Sequence, residues 1–583
     1  MQEPISLRTD RRSFLKGAAL VGGAVAAGSL VACSPSSPDD SGASPTKAGD
    51  APASPKPTYD IAKTVDTDLV VIGAGAAGCS AAVRAAQLGL KVALLEITGV
   101  VGGTTIFTEG LTSLHSKYHT PEVDWETAEM VHRIQDYHHW LSNGGIIRQM
   151  LDQSATNVDW LESIGHKFSG LGTMTGATKL TWTMYEHAPN EPSGTDYCKH
   201  WGELVTETYK DQITVYFETR GLSTQLTDGK VSAVVAEDVS AQTYTQFNCQ
   251  AVVYATGGYA DSPELFEEFV GFGEGEYLPM GMGQRKGDGI SQGREAGGRL
   301  CRYPGCAMWY GGCLEGIQYG SEFYCGIAFQ PLFWVNEKAV RYVDETYAER
   351  NFSFSGNADS AQRRVVSILT QKQIDAMVSG TGSIYGCGDY IKGGTKLDGS
   401  ATGKSFWDQY QEQLDAGNSY MHKADTLAEL AESVGLDAAA LADSVARYNA
   451  SVPTGKDSDF GKDFTVLATA FDWTEFPFAL EDGDGPWYAF ELKPAVFTTA
   501  GGLLVGDTIQ VLDTEDQPIT GMYAAGCDAG GLEGDSYDVG ICEGSKQCWC
   551  AYSGKLAAEH MADTLFGTPA SDEFANPVTW KSQ

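Results

Sequence analysis

The residues Gly73-Ala74-Gly75-Ala76-Ala77-Gly78, with Glu96 eighteen positions beyond Gly78, have types and spacing that can do chemistry. Gly73 permits a tight turn, Gly75 lets the backbone approach a pyrophosphate, and Gly78 lets a following helix pack close to the preceding strand. Ala76 and Ala77 lie within this turn as further candidate contacts, and the N-terminus of the helix that follows offers free N–H groups and a partial positive charge to phosphates. Glu96 can accept both hydroxyls of an adenosine ribose. The pattern is that of a dinucleotide site.

Stepping outward, three elements must position these groups. Thr67 to Ile72 is a β-branched apolar run, the pattern of a buried parallel strand. Cys79 to Leu88 reads as an Ala-rich helix, and Lys91 to Leu95 as a second strand ending on Glu96. The turn Gly102-Gly103-Thr104-Thr105 follows, where a flavin dinucleotide wraps backbone around its pyrophosphate and ribityl chain, so FAD is expected rather than NAD. Ala251 to Gly258 is another strand running into a turn, with Thr256 and Gly257 at the cofactor. Gly521 to Asp528 repeats the design, with Asp528 expected to bond the ribityl hydroxyls. A helix from about Glu543 should aim its N-terminus at the flavin pyrimidine.

These segments resemble the family of fumarate reductase flavoprotein subunits, urocanate reductases and 3-ketosteroid Δ1-dehydrogenases, over roughly residues 64 to 567. The marks are the GAGAAG turn, Glu96, the GGTT turn, ATGG at 255–258, KGDGISQGREAGG at 286–298 and AAGCD at 524–528. The resemblance implies further cofactor contacts at Gly110, Val231, Asp288 and Cys542. The fold it implies is α/β: a Rossmann-type FAD-binding domain split by an inserted α+β capping (substrate) domain. Its parts would be residues 64–305 and 497–567 for the cofactor, 306–496 for the cap and 568–583 as a C-terminal tail.

The resemblance also implies a chemistry: hydride passes between the flavin and one carbon of a C=C bond, and a cap-domain arginine supplies a proton to the other. Val335 to Glu345 matches the strand and turn that precede that arginine, and the arginine that follows is Arg350, one residue later than the family spacing. The departures concern substrate. Thr498 stands where fumarate reductases hold a carboxylate with histidine, Tyr537 where they use arginine, and Tyr310 to Cys313 contains no histidine. Charge-assisted contacts to a dicarboxylate are thereby lost, so fumarate is not the expected substrate. Tyr310 and Tyr537 join Arg350 as candidate catalytic residues, with a Tyr537 hydroxyl suited to a substrate carbonyl. Reduction of an enone- or acrylate-type double bond is one reading; oxidation of a 3-ketosteroid and a non-catalytic flavin electron carrier are the alternatives.

The rest of the chain bears on location and partners. Arg11-Arg12-Ser13-Phe14-Leu15-Lys16 is a twin-arginine signature, followed by a weakly apolar run to Ala32. Leu30-Val31-Ala32-Cys33 resembles a lipoprotein processing site, so residues 1–33 read as a signal and Cys33 as a lipid anchor to the membrane. Residues 34–63 read as a disordered linker rich in Ser, Pro, Ala, Gly and Asp. A net charge of −36 argues against nucleic acid, which needs a basic face, and suits docking of a basic electron carrier. No C-x-x-C-H attaches a haem, so electrons are expected from a separate cytochrome c or a membrane quinol-linked donor. The 13 cysteines show no iron–sulfur spacing and the histidines no metal spacing. Thr175-Gly176-Ala177-Thr178 only partly matches a covalent FMN attachment motif and is set aside.

Overall fold

The computed structural model describes residues 58–577, apart from 174–176, 188–193, 318–319, 347–351, 388–390, 466–475 and 538–539. Arg350, the twin-arginine segment, Cys33 and the FMN-like Thr175-Gly176 therefore lie outside the described residues. Among the described residues no helix is long and apolar enough to cross a membrane.

In chain order, the first elements are β1 (Ile61–Asp66), β2 (Leu69–Ile72), α1 (Ala76–Gln87) and β3 (Val92–Leu95). The four residues of β2 and of β3 are all buried, as strands covered on both faces must be. Helix α1 starts three residues before the expected Cys79, because Gly75 is its N-cap and Ala76-Ala77-Gly78 form its first turn. Next come β4 (Ile213–Tyr216), β5 (Thr219–Thr227), β6 (Lys230–Asp238), β7 (Thr243–Asn248), β8 (Ala251–Tyr254) and α2 (Asp288–Glu295). A second group follows: β9 (Ala307–Cys313), β10 (Phe333–Asn336), α3 (Phe352–Ser360), β11 (Val365–Thr370), β12 (Met421–Ala424) and β13 (Trp487–Thr499). The chain then returns with β14 (Pro518–Ala524) and the long helix α4 (Ser545–Phe566).

The first sheet runs β1-β7-β6-β14-β8-β2-β3-β4, with β5 paired to β6. Its centre, β14-β8-β2-β3-β4, is parallel, with Val252 opposite both Val70 and Met522. Strand β14, from near the C-terminus, thus sits beside strands from the N-terminal part. One apolar core unites the two, from Leu69 to Ala255 and from Leu503 to Ala562. A second core draws on Cys306 to Ala500 together with Tyr537. The second sheet is organised on β13, which pairs antiparallel with β11, β12 and β9. The architecture is the α/β fold with a second α+β layer system carried in the middle of the chain.

One expectation about the ends needs correction. The linker does not run to residue 63: Ile61–Asp66 is a strand, paired parallel to Thr243–Asn248, and Tyr59 packs its ring 5.1 Å from that of Tyr244. The short alternation of Ile61 and Val65 with polar residues is enough for an edge strand once β7 offers its backbone. The segment after residue 567 is also anchored. Buried Arg84 holds Asp572 at 2.7 Å, and Asn576 N donates to Glu559 Oε2 at 2.8 Å. Lys555 Nζ donates to the Phe574 carbonyl.

Candidate active site

The GAGAAG turn owes its shape to two contacts. Gly73 sits at φ +103°, and a Cβ there would lie 2.3 Å from the Ala255 carbonyl oxygen. A Cβ on Gly78 would lie 1.8 Å from the Gly73 carbonyl oxygen. The β2–α1 turn is thus closed against both β8 and itself, leaving no room for a side chain. Helix α1 has no side-chain cap, so its first-turn N–H groups are available to a ligand where Ala76 and Ala77 line a cleft. One of them, Ala76 N, donates to Thr105 Oγ1 at 3.1 Å.

That cleft runs from the GAGAAG turn to the last residues of β13. Gly73, Gly75, Ala76, Ala77, Glu96, Gly103, Thr104, Thr105, Gly110, Thr256, Gly257 and Asp288 line it, as do Tyr310 and Tyr537. Glu96 is 5% exposed and accepts from Ala74 N at 2.9 Å and Thr98 Oγ1 at 2.8 Å. Helix α4 begins after Gly544, again with no side-chain cap, and Gly544, Lys546 and Gln547 line the same cleft. Two uncapped helix N-termini therefore open on one elongated cavity, an arrangement that suits a ligand carrying phosphates and a delocalised negative charge. Trp182 Nε1 and Gln284 Oε1, both from lining residues, are buried without a hydrogen-bond partner among the described residues. Buried polar atoms are rarely left so, and a bound dinucleotide with its own donors and acceptors fits them.

Five of the expected cofactor residues lie off the wall. Gly78 packs α1 on β2, where a Cβ would also lie 3.2 Å from Val71 Cγ1. Gly102 turns toward Cys198, which a Cβ would meet at 3.0 Å, although its neighbour Gly103 lines the cleft. Asp528 is fully buried; its Oδ2 accepts from Thr256 N (2.6 Å) and Thr256 Oγ1 (2.8 Å), and its Oδ1 from Gly258 N (2.9 Å). It holds the turn after β8, and burial raises its pKa to about 6. Cys527, one residue earlier, occupies the wall instead. Val231 is buried in β6 within the core, and the strand β5 that pairs with it presents Thr219, Arg220 and Gly221 to the cleft. Cys542 is fully buried, its Sγ 3.5 Å from Thr112 Oγ1, while Gly544 reaches the cleft.

At the cap end the wall is aromatic. Phe497 and Thr498, from the last residues of β13, line it with Met308 and Tyr310 of β9. The ring of Phe497 lies 5.7 Å from that of Tyr310 and 6.1 Å from that of Phe107. The cations on the wall are already spoken for. Arg285 Nε and Nη2 donate to Asp261 at 2.7 and 3.0 Å, and Nη1 donates to the Phe497 carbonyl. Arg220 makes a two-point pair with Asp288 at 2.9 and 2.6 Å. Lys546 pairs with Glu533 at 2.9 Å. Burial works against the Lys546 charge, but the Glu533 carboxylate outweighs it and raises the ammonium's pKa. Arg220, Arg285, Lys546, Phe107, Trp182 and Phe497 escaped the sequence reading; for Arg285, adjacency to the KGDG motif was the available signal.

The motif from Val335 to Glu345 has a structural use. Arg341 binds Glu345 at 2.7 Å and Asp457 at 3.0 Å, and Lys462 stands 3.4 Å from Glu345, all four side chains buried. Burial lowers the Lys462 pKa to about 8 despite Glu345. This ion cluster fixes the chain just before residues 347–351. Among the described residues no group of His, Cys, Asp or Glu is arranged to hold a metal ion.

Comparisons with known proteins agree with this geometry. The family described as FAD binding domain matches residues 68–537. The chain is 33% identical over 523 residues to vinyl phenol reductase of Lactiplantibacillus plantarum, covering 86% of this chain and 97% of that protein. It is 26% identical over 489 residues to the fumarate reductase (cytochrome) of Shewanella frigidimarina, covering 80% and 72% respectively. Among solved structures, 3-ketosteroid Δ1-dehydrogenase from Sterolibacterium denitrificans superposes with a TM-score of 0.66 at 19% identity, covering 86% of this chain and 100% of that one.

Proposed function

This chain belongs to the FAD binding domain family and is an FAD-dependent reductase of C=C bonds; from that premise we propose that its substrate is a neutral alkene conjugated to an aromatic ring or a carbonyl. The carrying observation is the charge state of the wall. Every described cation that lines the cleft is neutralised by a carboxylate, and the cap end presents Phe107, Tyr310, Phe497 and Tyr537. A dicarboxylate would find no unpaired cation there among the described residues, whereas a planar apolar substrate gains contact with the rings. A relative named for vinyl phenol, similar along nearly its whole length, supports the same reading.

FAD, which the GAGAAG turn, Glu96 and the GGTT turn would hold, would supply the hydride. The chain supplies the rest: Tyr537 and Tyr310 offer hydroxyls to a polar end of the substrate, and Arg350 donates the proton to the second carbon. Arginine stays protonated in nearly all settings, so it acts as a relay that a neighbouring group refills. The N-terminal twin-arginine and Cys33 motifs support export and a lipid anchor, with service as a terminal reductase of anaerobic respiration. An acidic chain of net charge −36 suits electron delivery by a basic cytochrome or quinol-linked carrier.

The test is flavin reoxidation. The holoprotein is reduced anaerobically with dithionite and mixed in turn with 4-vinylphenol, a cyclic enone, cinnamate, a 3-ketosteroid and fumarate. Neutral aryl alkenes or enones should reoxidise the flavin and fumarate should not. Fastest reoxidation by fumarate would overturn the reading.

A further inference from the structure

Of the twelve described cysteines, ten are buried; the two with partial exposure are Cys527 and Cys550, and both line the cleft. Cys527 follows the turn after β14, and Cys550 lies on the second turn of α4. They lie on separate elements and approach each other across Gly526, where a Cβ would stand 3.2 Å from Cys550 Sγ and 2.9 Å from Ala77 Cβ. On its other side, Cys527 Sγ is 3.3 Å from Thr498 Oγ1 of the cap strand. The pair therefore sits between the pyrophosphate turn and the aromatic end of the cavity, along the stretch that the middle of the cofactor must cross.

Its surroundings set it apart from the other thiols. The neighbouring Cys550 thiol, helped by the Lys546 ammonium and the Thr498 hydroxyl, lowers the Cys527 pKa against the effect of burial. Burial, the largest cause, pushes Cys313, Cys325 and Cys548 up to about 12. A thiolate with a neighbouring resolving thiol is the chemistry of a redox-active pair.

We propose that Cys527 and Cys550 form a dithiol–disulfide couple that stores two electrons beside the flavin. The inference rests on FAD occupying this cleft. Closing the S–S bond releases two electrons and the two thiol protons, and FAD takes up two electrons and two protons on reduction, so the exchange balances with no further reactant. In reverse, the reduced flavin reopens the disulfide and both sulfurs recover their protons. The chain would then carry a second redox group of its own, able to hold a reducing pair until an alkene binds.

The experiment uses the full-length holoprotein, with flavin content per chain measured first. The air-oxidised protein is titrated anaerobically with dithionite. The wild type should take up about four electron equivalents per flavin, and Cys527→Ser and Cys550→Ser about two each, because the disulfide is a two-electron couple. Cys548→Ser, a buried neighbour on the same helix, should keep about four. Peptide mapping of the wild type, which depends on no variant, should find a Cys527–Cys550 cross-link before titration and none after it. Uptake of about two equivalents by the wild type, or a missing cross-link, would overturn the proposal. A chain that holds no flavin would instead defeat the reading on which it rests.

Discussion

Asp261 grips Arg285 twice, at 2.7 and 3.0 Å, and so takes a cleft-lining guanidinium out of substrate recognition. Both side chains are almost fully buried, at 2% and 4% exposure. Because Arg285 also donates to the Phe497 carbonyl, the pair ties the cap strand β13 to the cofactor domain. Asp261→Asn should leave a buried charge without its counterion and cost about 3–5 kcal/mol of stability. Thermal unfolding of the variant checks this, and an unchanged midpoint would show that the pair is not the tie described.

The Gly78–Gly73 contact makes a second prediction. In Gly78→Ala the new methyl would have to sit where the Gly73 carbonyl oxygen is, at 1.8 Å. The turn must open, at a cost of at least the ~1–3 kcal/mol typical of overpacked sites. The variant should lose most of its flavin, read as flavin absorbance per chain. Full occupancy would contradict the close packing.

Catalytic roles separate by kinetics. Tyr537→Phe keeps the ring on the wall and removes only the hydroxyl. If that hydroxyl bonds developing charge on the substrate, kcat/KM should fall about 10²–10³-fold with an unaltered flavin spectrum. Arg350→Ala should cost about 10²–10⁴-fold in kcat through the lost proton transfer, also with normal flavin. Unchanged turnover in Arg350→Ala would sink the proton-donor assignment.

A buried carboxyl beneath the cap sheet predicts a pH effect. Asp359 of α3 accepts from Gly312 N at 2.7 Å and Tyr342 Oη at 2.5 Å, two residues along β9 from Tyr310. Burial raises its pKa from the ordinary 3.8 to about 7. Between those values the folded chain holds a proton that the unfolded chain has released, so this contribution to stability is lost as pH rises through the window. Asp359→Asn should abolish that loss, and the variant's melting temperature relative to wild type should climb from pH 5 to pH 8. A constant difference would show that Asp359 is ionised throughout.

Much of the cofactor site was legible in the sequence because its determinants are local. A strand, a glycine turn, a helix N-terminus and a terminal acid occupy one continuous stretch from Leu69 to Glu96, and each position has a steric or electrostatic reason that needs no distant partner. The lack of charge at Thr498 and Tyr537, which both line the cleft, was legible for the same reason, since residue type alone decides it. Tertiary structure decided the rest. Cys527 and not Asp528 lines the cleft, because Asp528 is turned inward to hold Thr256 and Gly258, and the β5 residues Thr219 to Gly221 line it while Val231 lies in the core. The neutralisation of Arg285, Arg220 and Lys546, and the approach of Cys550 to Cys527, join residues on separate elements, 13 to 68 positions apart in the chain. No local pattern encodes such pairs, because they exist only once both sheets and α4 have packed around one cavity.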